Sequence, residues 1–346
     1  MAKTVFHASI EGAQHGAKTL EEFIIFAKNS GATGAEPSNY HIENGNGGFK
    51  SAQEIKQVFA KHEMKLDGIS CHCPFWVHTT AWTESKTIRP FLPKDIWTKS
   101  AAEIEAWCED YILRYLDLCS ELGLKITPMF WGMSHGFEVA TGYPFGFFSG
   151  PDYDLIKEGN DRFVTKTAKI RKAANAHGIF LCHEIHPNSA ALCADDFNML
   201  VKACDGDKVL GVTADPSHCW EGEDFETRFR KVAGRIYAAA IKNFVIRPGV
   251  NLRSMTGDWT KRAMQFCDIP TGDMNMMRFT ELLIDVGYAN RYMQIMGTIT
   301  APLVTEAESA FRDLDATSAN AIQYANNHLV FPIAEGSFED GMGSED

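Results

Sequence analysis

The stretch "GIFLCHEIHPNSAALCADDFNMLVKACDGDKVLGVTADPSH", residues 178–218, holds one repeat of the fold and two chemical ends. Residues 179–182 and 209–214 are short apolar runs of strand length, and residues 194–204 between them carry helical spacing. A strand, a helix and a second strand in that order predict a parallel pair joined by a right-handed crossover. Both strands then deliver their carboxyl ends to the same edge. The first ends in Glu184 and His186, the second in Asp215 and, after a Pro-initiated turn, His218. Period two sets Glu184 and His186 on one side of their strand and His183 on the other.

The same alternation extends in both directions. "TVFHASI" precedes the helical "KTLEEFIIFAKNSG", "ATGAEPS" precedes "SAQEIKQVFAKHE", and "KLDGISCH" leads to a long helix over 101–122. In that helix Ile104, Trp107, Tyr111, Tyr115, Leu118 and Leu122 form one apolar stripe. "LKITPMFW" precedes a helix over 158–177, "VLGVTADPS" precedes "DFETRFRKVAG", and "RIYAAAIKNF" precedes "MMRFTELLIDVG". "RYMQIMG" is read as the eighth strand, followed by the helical "EAESAFRDLDATSANAIQYANN". Eight strand-then-helix units predict an α/β fold, a (β/α)8 TIM barrel in a single domain over residues 1–331, with an acidic flexible tail over 332–346. A doubly wound open sheet is the alternative, but "ASIEGAQHG" after the first strand lacks a dinucleotide-binding glycine pattern. Three long connections, 73–100, 132–157 and 244–275, follow strands and so fall on the face where barrel enzymes keep their sites. Their aromatic content, as in "PFWVHTTAW" and "ATGYPFGFFSGPDY", suits either a small hydroxylated ligand or a subunit interface.

Composition narrows the partners. A net charge of −12 disfavours nucleic acid and anionic membrane surfaces, which need a surplus of Lys and Arg. The nine scattered cysteines read as reduced thiols in a cytoplasmic protein, and Cys71 and Cys73, flanking His72, as two thiols on one strand face. The opening residues carry no signal-peptide core, and no apolar run approaches membrane length.

Two carboxylates and two imidazoles converging on one opening are the donor set of a divalent metal site. The alternative is structural: Asp215 capping its own turn and Glu184 paired with a Lys or Arg.

These residues also carry a family resemblance. "GATGAE", "GIS" with His72, "CHEIHP" and "DPSH" resemble the ends of strands two, three, five and six in the sugar isomerase and epimerase superfamily, the xylose-isomerase-like barrels. "LPKDIW" and "GVTADPSHCWEGEDFETRF" are most similar to its sugar phosphate isomerase/epimerase branch, whose members act on sugars, keto-sugars or C-glycosides. The resemblance implies a manganese, magnesium or related ion held by a Glu, an Asp, a His and a Glu on strands five to eight. The first two map onto Glu184 and Asp215. His218 maps onto a histidine beside the ion, and Glu36 onto a strand-two carboxylate facing the same mouth. Strand seven has alanines at 238–240 in the ligand region, Ala240 at the ligand position itself, and Asn243 in place of an acid. On the reading of "QIMGTI" as strand eight, Met296 replaces the last Glu.

Three readings follow. In the first, His186 or His218 completes a manganese, magnesium or zinc site with Glu184 and Asp215, and an isomerase, epimerase or lyase moves a proton next to a sugar carbonyl. His72 or His135 serves as second acid or base, and Glu36, His186, His218, Trp131 and Lys242 contact substrate. In the second, Glu184 and Asp215 act without metal. In the third, the barrel is a sugar-binding protein or a non-catalytic subunit of a heteromer. Arg247, Arg253 and Arg262, after strand seven, are candidate anion contacts, and a homo-oligomer is expected by analogy.

Overall fold

The computed structural model describes residues 4–45, 47–136, 139, 154–252, 257–309 and 311–333. Eight parallel strands form one curled sheet: β1 (Phe6–Glu11), β2 (Gly34–Glu36), β3 (Lys65–Leu66), β4 (Ile126–Met129), β5 (Phe180–Glu184), β6 (Leu210–Ala214), β7 (Ile236–Ile241) and β10 (Ala301–Thr305). Their order, β3-β2-β1-β10-β7-β6-β5-β4, is that of a barrel opened along the β3–β4 seam. The Cys71 N–H spans that seam to the Pro128 carbonyl at 3.4 Å. In a parallel ladder a residue's N–H and C=O address the same neighbour, so Pro128 presents the seam with an acceptor and no donor. That is one reason the ladder lapses there.

Helices clothe the sheet, and their ends follow local chemistry. Thr19 and Glu22 box the start of α1 (Leu20–Asn29), and Ser51 and Glu54 that of α3 (Ala52–Lys61), after the single turn α2 (Asn39–Ile42). Ser100 and Glu103 do the same for α5 (Ala101–Leu122), which Gly123 ends at a φ of 82°. Gly34 has a different task. A Cβ there would lie 1.8 Å from Asp67 Oδ2, so only glycine lets Asp67 reach His7 inside the barrel.

Two sequence expectations change. "RYMQIMG" is not a strand: Tyr288–Met296 is helix α10, with Tyr288, Ala289 and Tyr292 buried at helical spacing. The eighth barrel strand is "APLVT", Ala301–Thr305, which pairs with β1 and β7. Likewise "SCH" is no strand end. Cys71 caps α4 (His72–Thr80), so the buried Cys71 and half-buried Cys73 share no strand face.

The connection after β7 folds as an antiparallel hairpin, β8 (Asn243–Ile246) with β9 (Met264–Cys267), over the mouth. Asn243 anchors it, donating to the Ile269 and Met274 carbonyls and accepting from the Phe244 and Met274 N–H groups. The remaining helices are α6 (Leu155–His177), α7 (Ala194–Ala203), α8 (Phe225–Lys231), α9 (Met276–Asp285) and α11 (Leu314–Tyr324). The aromatic stretch 140–153 and the tail from 334 lie outside the described residues. Among the described residues no helix is long and apolar enough to cross a membrane.

Candidate functional site

Glu184 is the last residue of β5, Asp215 follows β6 and Glu306 follows β10, so three strand ends deliver three carboxylates to the mouth. One oxygen from each lies within 4.8 Å of the others. All three side chains are buried.

Each acid is held differently. Asp215 accepts from the Ser217 N–H at 2.7 Å through Oδ1 and from its hydroxyl at 3.0 Å through Oδ2. The capping role and the cluster therefore coexist. Glu306 Oε2 accepts from Lys242 Nζ at 3.0 Å, and that ammonium also lies 3.2 Å from Glu308 and 4.2 Å from the Phe266 ring centroid. Glu184 sits between two imidazoles, with His218 Nε2 2.7 Å from Oε1 and His72 Nε2 3.3 Å from Oε2. Ser70 fixes the far side of His72 at 2.7 Å.

Burial would raise the carboxyls of Glu184 and Glu306. At Glu184 the His218 and His72 rings outweigh it and hold the group well below the usual carboxylate range. At Glu306 burial, helped by Glu11, Glu184 and Asp215, prevails over Lys242 and the group is raised. Burial alone would lower Lys242, but Glu306 and Glu308 hold it well above its ordinary value.

His186 lies flat on Phe130, with ring centroids 4.9 Å apart and planes at 7°, and its centroid is 4.1 Å from that of His218. Its Nδ1–H donates to the Pro187 carbonyl at 2.6 Å, leaving Nε2 as the ring's free lone pair. Burial and the neighbouring His218 push its pKa down to about 3. Atoms of Glu184, His186 and His218 also lie within 4.8 Å of one another.

The donor set fits a hard divalent cation: three carboxylates with imidazole nitrogen beside them. Unsatisfied groups point the same way. His218 Nδ1 has no hydrogen-bond partner, and His218 Nε2 and His72 Nε2, though close to acids, are not aligned to bond them. Buried polar atoms are rarely left so.

The chain's family follows from the whole sequence. The model of the xylose isomerase-like TIM barrel family matches residues 24–309. The chain belongs to that family. No curated protein sequence matches it. Solved structures share the fold at low identity. A xylose isomerase-like TIM barrel protein from Mycobacterium smegmatis, in complex with magnesium, is 13% identical with a TM-score of 0.57, over 94% of this chain and 97% of the other. A probable 3-DHS dehydratase from Bacillus anthracis is 14% identical with a TM-score of 0.58, over 93% and 99%. A D-psicose 3-epimerase from Clostridium cellulolyticum H10, solved with D-tagatose, is 13% identical with a TM-score of 0.55, over 93% and 99%.

Within this xylose isomerase-like barrel the expected ligands need one correction. Met296 does not stand at the end of strand eight; it lies on α10, and Glu306 occupies the strand-eight position. Ala240 does lie on β7, paired with Val304, beside a void of about 10 Å³ that Glu306 and Glu36 also line. One donor is therefore replaced rather than two.

The other site candidates divide. Glu184, Asp215, His218, His186, His72 and Lys242 meet at the mouth, and Glu36, on β2 beside Glu11, faces the same acids. Trp131 does not join them. It points away from the barrel interior and packs edge-on against Phe75 of α4 and Phe163 of α6, while Phe130 takes the mouth position. His135 is also elsewhere, bonded to Asn160 at 3.2 Å and lining a separate cavity of about 760 Å³ with Trp76, Trp82 and Arg162. Arg247 donates to the Thr260 carbonyl, and Arg253 lies outside the described residues.

Sequence reasoning missed Glu11, Phe130, Glu306 and Glu308. The signal for Phe130 was present, because period two from Pro128 places 130, not 131, inside the barrel.

Proposed function

We propose that the protein is an isomerase, epimerase or lyase of a sugar or keto-sugar that moves a proton next to a carbonyl, with a divalent cation at the mouth. One observation carries the reading: Glu184, Asp215 and Glu306, from three different strands, bring an oxygen each within 4.8 Å of the others. These three would hold the ion, with His218 or His186 adding nitrogen. When bound, such an ion polarises a carbonyl or hydroxyl oxygen and makes the adjacent C–H more acidic. Neighbours of this fold bearing the names of a psicose epimerase and a dehydratase support chemistry of this class.

The chain's own residues supply the rest. A proton taken up by Glu184 has His72 3.3 Å away to receive it, and Ser70 fixes that ring. Lys242 offsets the charge of Glu306. Phe266 of the hairpin and the Phe130–His186 stack roof the acids and exclude water. With a void of only about 10 Å³ below, the roof must part to admit a sugar.

A second reading rests on the Lys242–Glu306 pair, which already neutralises part of the cluster and would suit a metal-free or purely binding barrel. Metal analysis of protein purified without added ions, followed by Glu184→Gln and a turnover panel of sugars, keto-sugars and glycosides, separates them. About one ion per chain, lost together with turnover in the variant, is the expected result. Turnover that needs Glu184 without any ion leaves a metal-free enzyme. Neither ion nor turnover leaves a binding protein.

A further inference from the structure

We infer that the mouth selects an uncharged, polyhydroxylated ligand and rejects phosphorylated or carboxylated sugars, with Glu11 accepting ligand hydroxyls. The inference rests on the sugar reading above and specifies its substrate class. Glu11 ends β1, directly opposite Glu36 in the ladder, and is 3% exposed. Neither of its carboxyl oxygens makes a well-aligned hydrogen bond, although the Ser70 hydroxyl is close enough to interact. Its neighbour Ser70 bonds His72 Nδ1, and that nitrogen is 3.8 Å from Glu11. A buried carboxylate without a well-made hydrogen bond costs stability, so an ordered protein keeps one where a ligand completes it. Hydroxyl groups do so, and a phosphate or carboxylate does not.

The surrounding charge points the same way. Glu11, Glu36, Glu184, Asp215, Glu306 and Glu308 gather at one mouth. The ammonium among them, on Lys242, is already shared by Glu306 and Glu308. The imidazoles beside them, His72 and His218, are likewise held by Glu184 and Asp215. Arg228, the arginine behind β5, is committed to Glu223 at 2.8 Å and to the Ile185 and Leu192 carbonyls. His72, the first residue of α4, has its imidazole 3.8 Å from Glu11 and 3.3 Å from Glu184. Within the buried part of the mouth an anion therefore meets no uncommitted cation among the described residues, and like charge repels it.

The test is binding, measured by calorimetry on manganese-loaded protein with neutral sugars, each matched to its phosphate or uronate (D-fructose with D-fructose 6-phosphate, D-glucose with D-glucuronate, and a wider set of ketoses and glycosides). The expected result is a neutral member bound at least about 10-fold more tightly than its anionic partner. Glu11→Gln should weaken the neutral ligand by about 10-fold or more, the scale of a lost hydrogen bond to a charged group. Without sugar, its Tm should be unchanged or higher, because an amide carries no buried charge. A lowered Tm with unaltered sugar affinity would make Glu11 structural and overturn its role. Equal or tighter binding of the anionic partner overturns the charge selection and leaves the sugar reading intact. If no pair binds in either form while the ion is present, the sugar reading itself is overturned.

Discussion

Replacing Glu306 tests the metal site at the residue whose placement depended most on the fold. An ion that binds the folded chain alone stabilises it by RT ln(1 + [L]/Kd), about 2.7 kcal/mol at a concentration one hundred times Kd. Unfolding entropy near 2.1 cal/mol/K per residue gives about 0.73 kcal/mol/K for 346 residues. The wild type should therefore gain roughly 3.7 °C in Tm over the same protein in EDTA. Glu306→Gln removes one of three carboxylate donors, a change of about 3 kcal/mol in affinity on the scale of charged contacts, or roughly 100-fold. At the same ion concentration the gain falls to RT ln 2, about 0.4 kcal/mol and roughly 0.6 °C. Each variant is compared with itself in EDTA, which removes the cost of disturbing Lys242. Met296→Leu is the control, since α10 carries that residue away from the mouth, and it should keep the full shift. The reasoning fails if Glu306→Gln keeps the wild-type gain, or if manganese, magnesium, cobalt and zinc all leave the wild type unmoved.

Three further outcomes follow from the same structure. Lys242→Met leaves the buried Glu306 and the half-buried Glu308 without their cation, so denaturant unfolding in EDTA should show a loss of about 3–5 kcal/mol, and added manganese should restore more stability than in the wild type. Gly34→Ala drives a methyl to within 1.8 Å of Asp67 Oδ2, and the forced shift should cost about 1–3 kcal/mol by the same measurement; an unchanged midpoint would contradict the close approach. His78 is fully buried with neither ring nitrogen partnered, and burial, helped by Lys166, lowers its pKa to about 4. Between pH 6.5 and 4 the unfolded chain thus binds the extra proton. The stability from this neutral ring is complete above pH 6.5 and declines by up to about 3 kcal/mol as pH falls to 4. His78→Phe should flatten that part of the acid limb, and parallel pH profiles for the two proteins would refute it.

The alternation of short apolar runs with helix-period segments was enough to read a parallel barrel, and to place Glu184 and Asp215 at neighbouring strand ends. Both are local properties: hydrophobic period reports burial, and a polar residue ending a buried run reports where the strand leaves the core. The eighth strand was not legible in this way. "RYMQIMG" and "APLVT" are both short and apolar, and what separates them is that Ala301–Thr305 completes the ladder between β1 and β7. Register then decided Glu306.

The sequence by itself determined the repeating unit, the acidic character of the chain and the Glu184, Asp215 and His218 ends, because each depends on residues a few positions apart. Tertiary structure alone decided that Lys242 meets Glu306, 64 positions away, that Phe130 rather than Trp131 faces the mouth, and that Glu11 is buried without a well-aligned donor. Those facts depend on how the curled sheet brings its strand ends together, and a buried charge acquires its chemistry from neighbours that only this closure supplies.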